Sequence, residues 1–129
     1  MKILVTYNIP HESFTALGKE HTVTLPEGEF FSKEELIKMV PEYDALLGIF
    51  TRPIDNEIIE AGKNLKLISN FGVGFNNIDI KFARSKGIAV CNTPKAVCFP
   101  TAEMAMGLML SVARRIAECD RRLRVEKES

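Results

Sequence analysis

Short apolar runs rich in β-branched residues recur along this chain, each followed by a stretch with helical spacing. That alternation restricts the fold more than any other feature. Lys2–Tyr7 is the first run, closed by Asn8-Ile9-Pro10. His11–Lys19 carries Phe14 and Leu17 at helical spacing and predicts a first helix ending near Gly18. His21–Leu25 predicts a second strand, stopped by Pro26-Glu27-Gly28. Ser32-Lys33-Glu34-Glu35 has the form of a capping box, in which hydroxyl and carboxylate satisfy two orphan N–H groups reciprocally. Leu36, Met39 and Val40 follow as the buried face of a second helix. Asp44–Phe50 predicts a third strand, and Asp55 an N-cap for a helix through Ala61 with Gly62 at C′. Leu65–Asn70 reads as a fourth strand, Phe71–Asn77 as a loop, and Asp79–Ser85 as a short helix closed by Lys86-Gly87. Ile88–Cys91 is a fifth strand, and after Pro94 and Pro100 a long helix runs from Thr101 to about Arg122.

Five strands alternating with five helices imply right-handed crossovers onto a parallel sheet with helices on both faces. The simplest such arrangement is a flavodoxin-like, doubly wound five-stranded sheet of order 2-1-3-4-5, filling residues 1–129 as a single domain. A chain of 129 residues can bury a real core, whereas two ordinary domains would be a squeeze. Its 17 basic and 17 acidic residues balance, which argues against binding driven by nucleic-acid or membrane-surface charge. No apolar run approaches the roughly 20 residues needed to span a bilayer. The N-terminus, Met1-Lys2-Ile3-Leu4-Val5, has no small-residue cleavage site and reads as a strand rather than a signal peptide. Cys91, Cys98 and Cys119 are odd in number and match no C-x-x-C spacing, so neither a disulfide framework nor a zinc site is indicated. They read as reduced thiols of a cytoplasmic chain. The alternative of a reactive thiol at Cys98 has no neighbouring histidine to support it.

Two loops at the carboxyl ends of strands carry the functional information, since open α/β sheets bind ligands there. The first is Asn70-Phe71-Gly72-Val73-Gly74-Phe75-Asn76-Asn77-Ile78-Asp79. Its two glycines let the backbone turn and approach a ligand, and consecutive N–H groups in such a turn can converge on an anion. Gly72-x-Gly74 lacks a third glycine before Asp79, so the full dinucleotide fingerprint is absent; a plain strand-to-helix turn is the alternative. The second loop, Cys91 to Glu103, is stiffened by Pro94 and Pro100 and leads into a helix whose free N–H groups attract negative charge. Read without ligand, it is a rigid connector.

Together the loops are more specific than either alone. Gly-Val-Gly-Phe-Asn-Asn-Ile-Asp at 72–79, Lys-Gly-Ile-Ala-Val-Cys-Asn-Thr-Pro at 86–94 and Pro-Thr-Ala-Glu at 100–103 resemble the D-isomer-specific 2-hydroxyacid dehydrogenases. Ala113-Arg114-Arg115-Ile116 continues the similarity, which covers essentially the whole chain.

The resemblance implies a two-domain enzyme with its active-site cleft between a flavodoxin-like substrate domain and a Rossmann domain that binds NAD(H) or NADP(H). It places Val73 and Gly74 at the substrate carboxylate through their backbone amides, with Gly72 beside them, and Val97 and Thr101 on the cofactor side. The family often has Thr where Cys98 stands, which puts a polar contact there in doubt. Arg52 could approach a substrate carboxylate, or simply be a solvated loop arginine. The family's Gly-x-Gly-x-x-Gly loop and its catalytic Arg, Glu and His lie in the nucleotide domain and have no counterpart before Ser129. Hydride transfer needs a nicotinamide, an acid/base group and a cation, so the expectation is a substrate-binding domain that is inactive alone. Its parent would reduce small 2-oxo acids of the glyoxylate, hydroxypyruvate or pyruvate type with NAD(P)H. The alternative is an inert flavodoxin-like scaffold. A flavin or phospho-acceptor protein fails on residues, because neither an acidic cluster nor a Ser/Thr-rich phosphate loop follows the first strand. His11 and His21 match no catalytic position and read as surface or half-buried residues.

The last helix is apolar nearly all round, from Ala102 and Met104 through Leu108, Met109 and Val112 to Ile116. Such a helix expects burial on every side. The expectation is self-association through it, by exchange between chains, unless it folds back onto its own sheet.

Overall fold

The computed structural model describes residues 1–126. They form two compact units, Met1–Pro94 and a second beginning at Lys95. In the first unit five strands, β1 (Lys2–Val5), β2 (Thr22–Thr24), β3 (Ala45–Ile49), β4 (Leu67–Phe71) and β5 (Ala89–Cys91), make one sheet of order β2-β1-β3-β4-β5. Every pairing is parallel, with Leu4 opposite Leu46, Leu46 opposite Ile68, and Ile68 opposite Val90. The expected topology is therefore the observed one. Most strand ends fall on or one or two residues inside the sequence limits, but β4 runs one residue further than expected and takes in Phe71, read from sequence as loop.

Alternation of side chains along the strands separates two cores. Leu4, Leu46 and Ile68, all fully buried, face the helices α1 (Lys33–Met39), α2 (Asn56–Ala61) and α3 (Ile80–Ser85), which contribute Leu36, Ile58, Ile59 and Ala83. On the other face Val5, Tyr7 and Phe14 pack with Val23, Leu47 and Ile49. Each of the three helices has a side-chain cap: those of α1 and α2 are the expected ones, and Asp79, expected as the first residue of α3, is its N-cap instead. Ser32 and Glu35 complete the capping box of α1, Asp55 accepts from the N–H groups of Glu57 and Ile58, and Asp79 accepts from that of Phe82. The Glu35 carboxyl is held below its ordinary value chiefly by the N–H of Ser32.

Three expectations are corrected. His11–Lys19 is not a helix but two 3₁₀ turns, His11–Phe14 and Leu17–Lys19, closed by bonds such as Ser13 N–H to Pro10 O. Phe14 is buried and Leu17 is not, so the segment has one anchor and no continuous apolar stripe to stabilise an α-helix. Gly62 caps α2 with φ −74°, so it is not in the left-handed conformation expected at C′. A Cβ there would come within 3.0 Å of the Leu65 side chain, so close packing is what the glycine provides. The helix expected over 101–122 begins earlier and breaks: α4 spans Cys98–Ala113 and α5 spans Ile116–Arg121. Pro100 lies in the first turn of α4, where a missing N–H costs no intrahelical bond. Arg115 lies between the helices in the left-handed conformation, φ 54°, its guanidinium forked on the Glu118 carboxylate at 2.8 and 2.6 Å.

Candidate functional site

The loop from Gly72 to Ile78 leaves the carboxyl end of β4, and its shape is set by side chains that reach its carbonyls, Asn70 from the strand itself and Asn92 from beyond β5. Gly72 comes first. Its φ of +155° suits glycine, and a Cβ would meet the ring of Phe50 at 2.7 Å. Gly72 and Thr93 bond reciprocally: Gly72 N–H donates to Thr93 Oγ1 at 3.1 Å, and Thr93 N–H to Gly72 O at 2.9 Å. The second carboxyl-edge loop is thereby tied to the first.

Two further carbonyls are held in the same way. Asn92 Nδ2 donates to Val73 O at 2.7 Å, and Asn70 Nδ2 donates to Gly74 O at 2.7 Å. Asn70 is fully buried and forms a reciprocal amide pair with Asn77: Nδ2 to Oδ1 at 3.2 Å in one direction and 3.1 Å in the other. Asn77 also donates to Arg52 O at 2.9 Å and Ile49 O at 3.3 Å, so it joins this loop to the one after β3. Among the described residues, the N–H groups of Val73, Gly74 and Phe75 donate to no backbone or side-chain acceptor.

The residues singled out from sequence fall as follows. Val73 and Gly74 are exposed on this loop, and Gly72 is their half-buried neighbour. The reading that both glycines serve the turn holds only for Gly72. Gly74 has no left-handed φ, and the space a Cβ would take there is open. Arg52 is exposed, and its guanidinium lies over the ring of Phe30, 4.1 Å from the centroid. With Phe30, Phe31, Leu36 and Ile54 it lines a cavity of about 150 Å³. Arg52 makes no ion pair among the described residues. Val97 and Thr101 belong to the second unit, Val97 as the residue before α4 and Thr101 in its first turn, its N–H donating to Val97 O at 3.1 Å. All three cysteines are exposed. Among the described residues no cluster of His, Cys, Asp and Glu could hold a metal ion, and no helix is long and apolar enough to cross a membrane.

Sequence reasoning missed Asn70, Asn77, Asn92 and Thr93. One signal was available for Asn70: an amide side chain at the end of the apolar run Leu67-Ile68-Ser69 must find partners when buried. The Tyr7 ring is stacked on that of Phe71, centroids 6.1 Å apart, and burial raises its phenol above the ordinary value. The three carboxyl-edge segments 70–78, 91–94 and 49–53 contain one charged side chain, that of Arg52. The arrangement can therefore hold an anion through N–H groups, with a cation close in sequence, but offers no acid or base.

Comparison with known proteins gives the family. Residues 3–126 match the family described as "D-isomer specific 2-hydroxyacid dehydrogenase, catalytic domain". A Staphylococcus aureus (strain MRSA252) protein named as a 2-hydroxyacid dehydrogenase is 45% identical over 120 residues, covering 92% of this chain. The chain spans 38% of that relative's length. Among solved structures, a 2-hydroxyacid dehydrogenase from Ketogulonicigenium vulgare aligns with TM-score 0.82 and 27% identity, over 98% of this chain and 40% of its own. A 3-phosphoglycerate dehydrogenase of Entamoeba histolytica, described as bound to NAD+, aligns with TM-score 0.70 and 30% identity, over 86% of this chain and 38% of its own.

Proposed function

Because this chain belongs to the D-isomer specific 2-hydroxyacid dehydrogenases, within their catalytic-domain family, we propose that it supplies the substrate-carboxylate cradle of an enzyme that reduces small 2-oxo acids with NAD(P)H. The observation that carries the reading is the set of N–H groups at Val73 and Gly74, unspent on an exposed loop at the carboxyl edge of the sheet. Backbone amides aimed at an anion are strong, oriented donors that need no side chain. Gly72 gives the turn that brings them there, and Arg52, whose guanidinium lies over the Phe30 ring, is the cation proposed for the same carboxylate.

A bound nicotinamide supplies a hydride to the carbonyl carbon in such a reduction. This chain's own share is to fix the carboxylate so that the carbonyl presents one face. Proton transfer requires a group that the cradle segments do not contain, so on this reading the cradle alone carries out no reduction. The substrates proposed are small 2-oxo acids of the glyoxylate, hydroxypyruvate or pyruvate type, whose shared carboxylate is what the cradle reads. Val97 and Thr101 are assigned to the cofactor side. We further propose a cytoplasmic protein that self-associates through α4, where Met104, Leu108, Met109 and Val112 are each more than half exposed.

The test is an amide NMR titration of the 129-residue chain with pyruvate and glyoxylate. Saturable shifts confined to Gly72–Phe75 are expected. Absence of any shift would overturn the reading and leave a folded scaffold of the same family.

A further inference from the structure

We infer that Asn70, Asn77 and Asn92 are positioning residues: by holding the carbonyls of Val73 and Gly74 they direct the N–H groups of Gly74 and Phe75 to the anion, beside that of Val73, which the Thr93 backbone directs through Gly72 O. The inference rests on the reading of this loop as a carboxylate cradle and extends it from two amides to three. In a trans planar peptide the C=O of one residue and the N–H of the next point in opposite directions. A carbonyl held by a donor on one side therefore fixes where the following N–H points.

Here the three carbonyls in question are all held. Gly72 O accepts from Thr93 N–H, which orients the N–H of Val73. Val73 O accepts from Asn92 Nδ2 at 2.7 Å, which orients the N–H of Gly74. Gly74 O accepts from Asn70 Nδ2 at 2.7 Å, which orients the N–H of Phe75. None of these N–H groups has an acceptor among the described residues. A loop free to choose would turn such donors to solvent or to each other's carbonyls. Here each bonded carbonyl fixes the rotation of its own peptide plane, so the N–H that follows it keeps one direction.

Asn77 locks the lock. Its amide pairs with that of Asn70 in both directions, so the buried Asn70 is left with one free direction for Nδ2, toward Gly74 O. The same Asn77 nitrogen reaches Arg52 O, so the segment carrying the cation is fixed against the segment carrying the amides. Gly48 of β3 stands opposite Asn70, and the space it leaves belongs to Ile54: a Cβ at Gly48 would lie 2.4 Å from Ile54 Cδ1 but at an ordinary contact distance, 3.8 Å, from Asn70 Oδ1.

The experiment compares the full 129-residue chain with Asn92→Ala, Asn70→Ala and, as a control, Asn64→Ala. Asn64 makes an equivalent side-chain bond to a backbone carbonyl, Pro41 O at 2.8 Å, outside the loop. Residual dipolar couplings give the direction of each N–H without any ligand, and pyruvate titration gives the affinity. Asn92→Ala is expected to reorient the Gly74 N–H and Asn70→Ala that of Phe75, each with about tenfold weaker pyruvate binding. The control should change neither. Unchanged couplings at Gly74 in Asn92→Ala overturn the inference whatever pyruvate does. Asn92 is only half-buried, so this arm survives even if Asn70→Ala does not fold. Reoriented couplings in a chain whose wild type ignores pyruvate uphold the positioning role and overturn the cradle reading instead.

Discussion

The helices of the sheet unit and the long helix α4 follow opposite designs. α1, α2 and α3 are six or seven residues long, and each carries a side-chain N-cap and buries at least one apolar residue. α4 runs for 16 residues, has no side-chain cap and buries none, although it is apolar almost throughout. Short helices are marginal in isolation and depend on caps and tertiary contacts. A long apolar helix needs a cap less and a covering surface more. The sequence of the first unit thus encodes its own partners, while that of α4 encodes a demand for one.

The sharpest test of the contrast replaces a leucine of each kind. Leu46 is fully buried between the sheet and α1–α3, whereas Leu108 on α4 is 60% exposed. Leu46→Ala should destabilise the chain by about 2–5 kcal/mol in urea unfolding. Leu108→Ala should change the stability of the dilute chain by less than about 0.5 kcal/mol. It should, however, weaken concentration-dependent association in sedimentation. If both cost the same at every concentration, α4 is part of a single-chain core and the contrast fails.

A smaller effect separates the two glycines of the cradle. Gly72→Ala meets Phe50 at 2.7 Å and a disfavoured φ, so a loss of about 1–3 kcal/mol is expected, together with loss of carboxylate shifts. Gly74→Ala has open space and no left-handed φ. Its melting temperature should stay close to that of the parent chain. Any weakening of pyruvate binding in Gly74→Ala would then report crowding of the anion rather than damage to the fold.

The same division explains what the sequence revealed. Strand order was legible through the alternation of strand and helix, and the caps of α1 and α2 because their signals are local: Ser32 with Glu35, and Asp55, each lie within three residues of the N–H they cap. The cradle glycines were legible through their motif. The carbonyl-holding bonds were not, since Asn92 and Val73 are 19 residues apart and meet only through the pairing of β4 with β5. Nor was the break before α5, because Arg115 belongs to a residue type that rarely adopts a left-handed φ and no glycine or asparagine marks it. The 3₁₀ turns over 11–19 were misread as helix because spacing alone does not say that Leu17 stays exposed.

Caps give the next step down. Asp79→Ala removes the acceptor for Phe82 N–H and should cost about 1 kcal/mol. Thr101→Ala, in the first turn of α4 and capping nothing with its side chain, should be neutral within a few tenths of a kcal/mol. A loss at Thr101 equal to that at Asp79 would mean α4 depends on local side chains after all.

The smallest effect is in acid. Glu35, Asp44 and Asp55 titrate below their ordinary values in the folded chain. For Glu35 the cause is chiefly the N–H of Ser32, and for Asp44 the Lys66 ammonium followed by the N–H of Lys2. For Asp55, burial opposes ionisation, and Lys33 with the N–H groups of Ile58 and Glu57 outweighs it. A depressed carboxyl contributes stability that is full above its unfolded value and is lost as pH falls through its folded one. Stability should therefore hold above about pH 5 and decline gradually below about pH 4, the range where these carboxyls begin to bind protons. The decline should be shallow, because these carboxylates lie at the surface and solvent screens them. Two of the three are the caps of α1 and α2 or part of them, so helicity and backbone exchange should report the change first at Lys33–Met39 and Asn56–Ala61. Circular dichroism with amide exchange across this range checks it. A chain that frays first at Cys98–Ala113 instead would place the acid-sensitive contacts in the helix that has no side-chain cap to lose.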